Sequence, residues 1–177
     1  MNRAAFLDRD GVINRKLPEG QYVIHWEELQ FLPGVDSAIA ALKRAGFRVI
    51  VVSNQRCVAK GLLSLRDLDL IHQRMLAELA AADAVIDGVY CCPHEKHPPC
   101  GCRKPEPGLL LSAARAHEID LAASWMIGDS ESDVAAGKNA GCKTARILHS
   151  GEVRKGSADL FARSLSEAVQ EILRVES

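Results

Sequence analysis

The sequence predicts an α/β protein in which a central parallel sheet is covered by helices on both faces. Two observations lead to this fold class: short apolar runs, partly β-branched, recur along the chain, and segments with helical periodicity lie between them. Strands that alternate with helices form parallel sheets, because parallel neighbours need a long crossover connection that is usually a helix.

The predicted strands are residues 4–7, 48–52, 88–91, 124–127 and 144–148. The first predicted helix begins after Pro33-Gly34 and ends at Gly46, and Ser64 and Asp67 resemble a capping box at the start of the second, with Asp in place of the usual Glu. Further helices are predicted at residues 109–117, 133–140 and 166–174, and the tail over 166–177 is expected to close the fold as an amphipathic helix.

Length and composition predict one ordinary globular unit. A chain of 177 residues suffices for one substantial core, so we expect a single domain over residues 1–177. The net charge of −1 argues against a nucleic-acid-binding domain. No apolar stretch is long enough to span a bilayer, and the N-terminal pattern is not that of a signal peptide. We therefore expect a cytoplasmic protein whose six cysteines are reduced or bound to metal.

Polar residues come directly after three of the predicted strands. Asp8 and Asp10 follow the first strand, Ser53 and Asn54 the second, and Asp129 the fourth. Each of them alone is ordinarily a turn or cap residue. Equivalent ends of parallel strands meet at one edge of the sheet, however, so we expect these side chains to converge. The repulsion between two carboxylates one residue apart is relieved by a shared cation, and Mg²⁺ prefers such oxygen ligands.

A cation that could neutralise phosphate is predicted at Lys104, in the segment Arg103-Lys104-Pro105. The residue before a proline avoids helical geometry, so Lys104 is expected in a loop. An Arg-Lys pair is often no more than solvated surface. This pair directly follows a cluster of cysteine and histidine residues, and that position favours a functional role.

Cys92-Pro-His94 and Cys100-Gly-Cys102 predict a metal site in the irregular tract 93–107. Three thiols and one imidazole at short spacing fit tetrahedral Zn²⁺. A zinc ion with four protein ligands is structural, because catalytic zinc keeps an open position. A disulfide is the alternative, and the expected cytoplasmic location counts against it.

The choice of zinc ligands stays open at this point, since Cys91 and His97 are competing candidates. We call residues 91–105 the zinc loop. Because Cys102 is bonded to Arg103 and precedes Lys104 by two positions, a metal in this loop would fix the segment that presents both cations.

Four ordered motifs resemble those of the haloacid dehalogenase (HAD) superfamily of phosphotransferases. They are Asp8-x-Asp10-Gly11, Ser53-Asn54, Lys104-Pro105 and Gly128-Asp129-x-x-x-Asp133. Segments 6–14, 53–55, 102–105 and 126–129 are similar to the narrower branch that contains the heptose 1,7-bisphosphate 7-phosphatases and the histidinol-phosphate phosphatases. The resemblance implies a three-layer Rossmann-like fold with a central parallel sheet and no large cap domain.

The resemblance also implies a role for each matching residue. Asp8 would be the nucleophile that forms an aspartyl-phosphate, and Asp10 would be the general acid and base. The role of Asp10 requires a raised pKa, which a neighbouring carboxylate and partial burial can provide. Ser53 and Lys104 would hold the phosphoryl oxygens as charge shifts. Mg²⁺ would be bound by Asp8, the backbone carbonyl of Asp10, and Asp129.

For substrate binding, the resemblance implies that Arg103 contacts the distal part of a sugar and that Asn54, Gln55 and Arg56 line the pocket together with loop 16–22. Arg103 and Arg56 could receive the second phosphate of a bisphosphate through paired donors.

Three features leave the substrate open. Arg56 and Cys57 stand where relatives commonly have Ser-Gly, Ser130 stands where some have Lys, and Lys16 lies in an entry loop that is longer than usual. Asp133 would orient Lys104 or support the metal.

The function implied is a Mg²⁺-dependent phosphatase that removes the 7-phosphate of D-glycero-D-manno-heptose 1,7-bisphosphate for lipopolysaccharide precursors. We expect a monomer that acts on this small-molecule sugar bisphosphate, with no nucleic-acid or membrane partner. Alternative substrates are histidinol phosphate, another phosphosugar or a nucleic-acid 3′-phosphate. An alternative of a different class is a non-catalytic zinc-binding interaction module.

The remaining histidines are interpreted as helix-surface or loop residues without a catalytic role: His25, His72, His117 and His149.

Overall fold

The computed structural model describes residues 1–176, which form a parallel sheet of six strands and five α-helices. The strands are β1 (Arg3–Leu7), β2 (Phe47–Asn54), β3 (Gly88–Cys92), β4 (Trp125–Gly128), β5 (Lys143–Ile147) and β6 (Leu160–Ala162). The helices are α1 (Val35–Arg44), α2 (Leu65–Ala81), α3 (Gly108–His117), α4 (Glu131–Ala140) and α5 (Leu165–Val175), and a short 3-10 helix covers Trp26–Glu28. The predicted fold class is confirmed.

All five predicted strands and the predicted helix starts lie within two residues of the observed positions. At the start of α2, the Ser64 hydroxyl accepts a hydrogen bond from the Asp67 N–H at 3.1 Å, so Ser64 is the N-cap. The sequence pattern does not predict β6, because three residues are too few to show a period. Ser177, the last residue of the predicted tail, lies outside the described residues.

Side-chain alternation along the strands builds a separate core on each face of the sheet. In β1, Ala5 and Leu7 belong to the core formed with α1, α2 and α5, whereas Ala4 and Phe6 belong to the core formed with α3 and α4. Successive residues of a strand point to opposite faces, so a strand apolar at every position is buried on both sides. This is the three-layer arrangement that the resemblance implies.

The sheet order β3-β2-β1-β4-β5-β6 places β1 between β2 and β4. Leu7 pairs with Val51 on one side and Ile127 on the other, so the chain leaves all three strands at the same level. Long connections follow β1 and β3, at residues 8–34 and 93–107, and the 3-10 helix is the one helical element described within them. No insertion of cap-domain size is present among residues 1–176. Over the same residues, no helix is both long and apolar enough to cross a membrane.

Candidate active site

Lys104 links two carboxylates at the carboxyl edge of the sheet. Its Nζ donates to Asp8 Oδ1 at 2.8 Å and to the Val52 carbonyl at 2.8 Å, and it lies 2.6 Å from Asp133 Oδ1. The Lys104 side chain is 2% exposed, and neither carboxylate is more than 13% exposed. Lys104 lies in a turn between β3 and α3, as the Lys-Pro pair predicts. A buried ammonium is thus held directly beside the predicted nucleophile.

Asp133 has two functions in this arrangement. As the third residue of α4, it accepts hydrogen bonds through Oδ2 from the Ser130 N–H at 3.0 Å and the Ser130 hydroxyl at 2.6 Å, which completes a capping box. Its Oδ1 faces Lys104. The helix start therefore fixes the carboxylate that holds the Lys104 ammonium towards Asp8.

Negative charge exceeds positive charge at this edge of the sheet. Burial raises the pKa of Asp8 to about 7; Lys104 opposes this rise, and Asp133, Asp10 and Asp129 add to it. Burial would lower the pKa of Lys104, but Asp133 and Asp8 outweigh it and raise the pKa, so the ammonium stays charged. Four carboxylates, those of Asp8, Asp10, Asp129 and Asp133, face three fixed cations, Lys104, Arg9 and Lys16, so a further cation would stabilise the site.

Asp8, Asp129 and Asp133 each offer a carboxylate oxygen, and these oxygens lie within 4.8 Å of one another. Carboxylate oxygens are ligands that Mg²⁺ prefers, usually one or two of them together with water and substrate oxygens. Asp133 is engaged through both oxygens, by Lys104 and by Ser130, whereas the described contacts of Asp8 and Asp129 go to one oxygen each, so Asp8 and Asp129 have the greater free capacity. The donor set and its excess of negative charge fit a magnesium ion.

Asp10 requires a correction to the expectation from sequence. Its carboxylate accepts from the Arg9 guanidinium at 3.0 and 3.1 Å, from Asn14 Nδ2 at 2.9 Å and from Gln55 Nε2 at 2.9 Å. Burial alone would raise the pKa of Asp10, but the charge of Arg9 and these donors outweigh it and lower the pKa. The expected raised pKa is wrong for the free site, because Arg9, and not the neighbouring carboxylate, dominates the surroundings of Asp10.

Asp129 is contacted by two residues that the sequence motifs do not include. Lys16 Nζ lies 2.6 Å from Asp129 Oδ2, and His149 Nε2 lies 3.0 Å from the same oxygen. His149 belongs to a loop, as expected, but it borders the site. Gly11 also approaches closely: its φ is +93°, and a Cβ there would lie 2.7 Å from Asp129 Cγ. A glycine is therefore needed where the loop passes the carboxylate.

His72 is the second correction, since it is not a helix-surface residue. It is buried on α2, and its Nε2 lies 3.0 Å from Arg9 Nη1. A signal for this burial is present in the sequence: His72 comes four residues after Leu68 and three before Met75, which both belong to the buried face of the helix. Arg9, inside the Asp8-x-Asp10 motif, is likewise buried.

The residues at the end of β2 and directly after it form hydrogen bonds with other residues of the site. Asn54 Nδ2 donates to the Lys104 carbonyl at 3.1 Å, and the Lys104 N–H donates to Asn54 Oδ1 at 3.1 Å. Gln55 Nε2 donates to the Ser53 hydroxyl at 2.8 Å as well as to Asp10. In this structure Asn54 holds the Lys104 backbone and Gln55 bridges Ser53 to Asp10.

The two predicted substrate-binding arginines are both engaged. Arg56 Nε lies 2.5 Å from Glu95 Oε1, which joins the loop after β2 to the zinc loop. Arg103 Nη1 donates to the His94 carbonyl at 3.2 Å. Both border a pocket of about 460 Å³ that is open above Asp8, and Lys60 and Lys96 lie on the same rim.

The four predicted zinc ligands come together in the zinc loop. His94 Nδ1 lies 3.3 Å from Cys102 Sγ and 3.6 Å from Cys92 Sγ, and Cys100 Sγ lies 3.6 Å from each of the other two sulfurs. Sulfurs about 2.3 Å from a tetrahedral zinc ion would be roughly 3.8 Å apart, so these spacings fit the ion. The competing candidates Cys91 and His97 do not belong to this group of donors.

The fold and this site define the protein as a HAD-like hydrolase, with paired aspartates after β1, a buried lysine and a further aspartate after β4. A HAD-hydrolase-like family model matches residues 101–168. The chain belongs more narrowly to the family of heptose 1,7-bisphosphate 7-phosphatases, as similarity along most of its length shows.

The relatives come from distant bacteria. The chain is 39% identical to D-glycero-α-D-manno-heptose-1,7-bisphosphate 7-phosphatase of Mycobacterium bovis over 166 residues. The matched region covers 92% of this chain and 87% of that protein. It is 35% identical over 172 residues to the corresponding β-anomer enzyme of Helicobacter pylori, over 95% of both chains. The crystal structure of D,D-heptose 1,7-bisphosphate phosphatase from B. bronchiseptica, complexed with magnesium and phosphate, superposes with a TM-score of 0.86 at 32% identity over 98% of this chain and 99% of that one.

Proposed function

We propose that this protein is a Mg²⁺-dependent phosphatase that removes the 7-phosphate of D-glycero-D-manno-heptose 1,7-bisphosphate. The observation that carries the proposal is the convergence of Asp8, Lys104 and Asp129 beneath an open pocket bordered by further cations. An oxygen nucleophile, a buried ammonium and free carboxylates are the groups that phosphoryl transfer needs. The heptose substrate is supported by the names of the relatives in the same family.

Asp8 is the proposed nucleophile. A carboxylate oxygen attacks phosphorus in line with the leaving sugar oxygen, the bond between phosphorus and that oxygen breaks, and the phosphoryl group is transferred to Asp8. The aspartyl-phosphate is then hydrolysed by water to inorganic phosphate. Lys104, 2.8 Å from Asp8, stays in place throughout and offsets the charge that develops on the phosphoryl oxygens. Ser53 is the proposed hydroxyl donor to the same oxygens.

Asp10 is the proposed proton carrier. It protonates the leaving sugar oxygen in the first step and takes a proton from the attacking water in the second. Its pKa is low in the free site, and a bound phosphate dianion would raise it again by like-charge repulsion. Substrate binding would thus prepare Asp10 to act as an acid.

Mg²⁺ would be held by Asp8, Asp129 and the backbone carbonyl of Asp10, and when bound it neutralises phosphate charge and orients the reacting group. We further assign Zn²⁺ to Cys92, His94, Cys100 and Cys102, with a structural function. The turn that carries Lys104 is held in two ways. Asn54 forms hydrogen bonds with the Lys104 backbone, and the proposed zinc ligands lie directly before the turn in the chain.

The second phosphate of the substrate is assigned to the cationic rim of the pocket. Arg103 and Lys96 face it without an ion pair to a carboxylate among the described residues. Lys60 also faces it, and its charge acts on Glu95, with which Arg56 is paired. The choice between α and β anomers stays open, because relatives of similar identity carry both names. We place the reaction in the cytoplasm, and the monomeric state stays a prediction that light scattering tests.

Phosphate release from a substrate panel tests the proposal. The panel contains both anomers of the heptose bisphosphate, fructose 1,6-bisphosphate and histidinol phosphate, each with and without Mg²⁺. We expect Mg²⁺-dependent turnover with a heptose anomer preferred, and no turnover for Asp8→Asn. Asp69→Asn, on the exposed side of α2, is the matched control. A preference for histidinol phosphate would show that the proposed heptose substrate is wrong. Full activity of Asp8→Asn would overturn the mechanism.

A further inference from the structure

Arg9 is a buried cation to which neither the motif nor the proposed mechanism assigns a role. Its side chain is 1% exposed, although it lies between the two aspartates that border an open pocket. A buried arginine is rare unless its charge is paired and its N–H groups are bonded. Both conditions are met here, and by residues on different elements.

The charge of Arg9 is paired with Asp10. Arg9 Nε lies 3.3 Å from Asp10 Oδ1, and Arg9 Nη2 lies 3.0 Å from Oδ1 and 3.1 Å from Oδ2. The guanidinium is a flat fork of donors, so contact with both oxygens fixes the plane of the carboxylate as well as its position. Asn14 and Gln55 add one donor to each oxygen.

The other side of the fork is held by His72. Arg9 Nη1 lies 3.0 Å from His72 Nε2, and a guanidinium has donors only, so the histidine nitrogen must be the acceptor. His72 is therefore the neutral tautomer with its proton on Nδ1. Burial and the neighbouring Arg9 charge lower the pKa of His72 to about 4, which agrees with this assignment.

We propose that Arg9 and His72 are positioning residues for Asp10: His72 holds the guanidinium, and the guanidinium holds the carboxylate at the angle from which it exchanges protons with the leaving oxygen and with water. The chain of contacts runs from α2 to the loop after β1, so a residue far from the pocket acts on the proton carrier. This inference rests on the proposed role of Asp10 in the phosphatase reaction.

The test uses leaving groups that differ in their need for a proton. A sugar alkoxide must be protonated as it leaves, whereas 4-nitrophenolate leaves without one. We expect His72→Leu and Arg9→Lys to lower kcat/KM for the bisphosphate about 10- to 100-fold, which is less than the full general-acid contribution of about 100- to 10,000-fold because the proton carrier is displaced and not removed. For 4-nitrophenyl phosphate we expect kcat/KM to fall less than about threefold. His72→Gln, whose amide oxygen can replace the Nε2 acceptor, should regain most of the loss.

Controls separate this role from a merely structural one. Arg74→Lys, two residues further along α2 and exposed, is the matched control, and thermal unfolding is measured for every variant. Equal losses with both substrates, or wild-type kinetics for His72→Leu, would overturn the inference. If Arg9→Lys does not fold, His72→Leu and His72→Gln still test the positioning role.

If the proposed function itself is wrong, the measurements differ from those that would overturn the positioning role. If wild-type protein does not hydrolyse the heptose bisphosphate, its substrate is wrong, and the comparison is made with an alkyl phosphate that it does hydrolyse. If Asp10→Asn retains full activity, the proton carrier is wrong. A loss for Asp10→Asn without any loss for Arg9→Lys and His72→Leu overturns the positioning role alone.

Discussion

Replacing Lys104 by methionine tests how much more a buried ion pair contributes to the free energy of unfolding than an exposed ion pair of the same length. Lys104 Nζ lies 2.6 Å from Asp133 Oδ1, and Lys143 Nζ lies 2.6 Å from Glu176 Oε1. The first pair is 2% and 1% exposed, whereas the second is 46% and 15% exposed. Lys143→Met is therefore a control in which the chemistry and the distance are kept and the burial is changed.

The magnitude follows from the surroundings of each pair. At 2.6 Å, Coulomb's law gives about 6 kcal/mol at an effective dielectric constant of about 20 and about 1.6 kcal/mol in water. After desolvation, removing one member of a buried pair typically costs about 3–5 kcal/mol, because the partner is left as an uncompensated buried charge. Removing one member of an exposed pair costs about 0–1 kcal/mol.

Urea unfolding without added Mg²⁺, followed by circular dichroism, measures both variants. We expect the free energy of unfolding to fall by about 3–5 kcal/mol for Lys104→Met and by no more than about 1 kcal/mol for Lys143→Met. Lys104 also opposes the rise in the pKa of Asp8, so its loss should leave Asp8 mostly protonated at pH 7. Turnover should therefore fall at least about 100-fold. Similar losses of stability in the two variants would refute this reasoning.

Three further predictions concern other parts of the site. Because the pKa of His72 is lowered from 6.5 to about 4, the unfolded chain binds a proton that the folded chain does not, so His72 should reduce the free energy of unfolding by about 3 kcal/mol as the pH falls from 6.5 to 4. Urea melts over this range should show the loss in wild type and not in His72→Gln, and parallel curves would contradict it. Cys100→Ser should reduce zinc content, measured by atomic emission, from about one ion per chain to near zero and lower the Tm, whereas Cys142→Ser should retain the metal. Glu95→Ala should free Arg56 and lower KM for the bisphosphate by up to about fivefold with kcat unchanged, and an unchanged KM would show that Arg56 does not receive the second phosphate.

Residues that lie at strand ends could be predicted because strands are readable from apolar runs. Asp8, Ser53 and Asp129 each stand at or just after such a run, and parallel pairing then requires them to meet. The candidate zinc ligands could be predicted equally well, since two pairs of residues, each at a spacing of two, already confine four candidate ligands to one loop. The structure brings His94 and not His97 into that group, a choice that the spacing left open.

Contacts between distant elements could not be predicted in the same way. Lys16 lies in a loop without periodicity, so nothing in the sequence places it against Asp129. His72 could have been assigned to the buried face of α2, but its partner Arg9 comes from 63 residues earlier in the chain. The pKa of Asp10 shows the limit most clearly, because a neighbouring carboxylate predicts a rise, whereas the guanidinium folded against it produces a fall.

The sequence by itself determined the α/β class and the edge of the sheet where polar side chains converge, and it identified the candidates for nucleophile, cation and metal ligands. Those features depend on local periodicity and on the one rule that parallel strands share a direction. Only the tertiary structure decided how the charges are balanced: which oxygen faces Lys104, which carboxylate is ionised, and which arginine is occupied. Electrostatic energies depend on burial and on distances of a few ångströms, and both arise only when segments far apart in the chain are packed together.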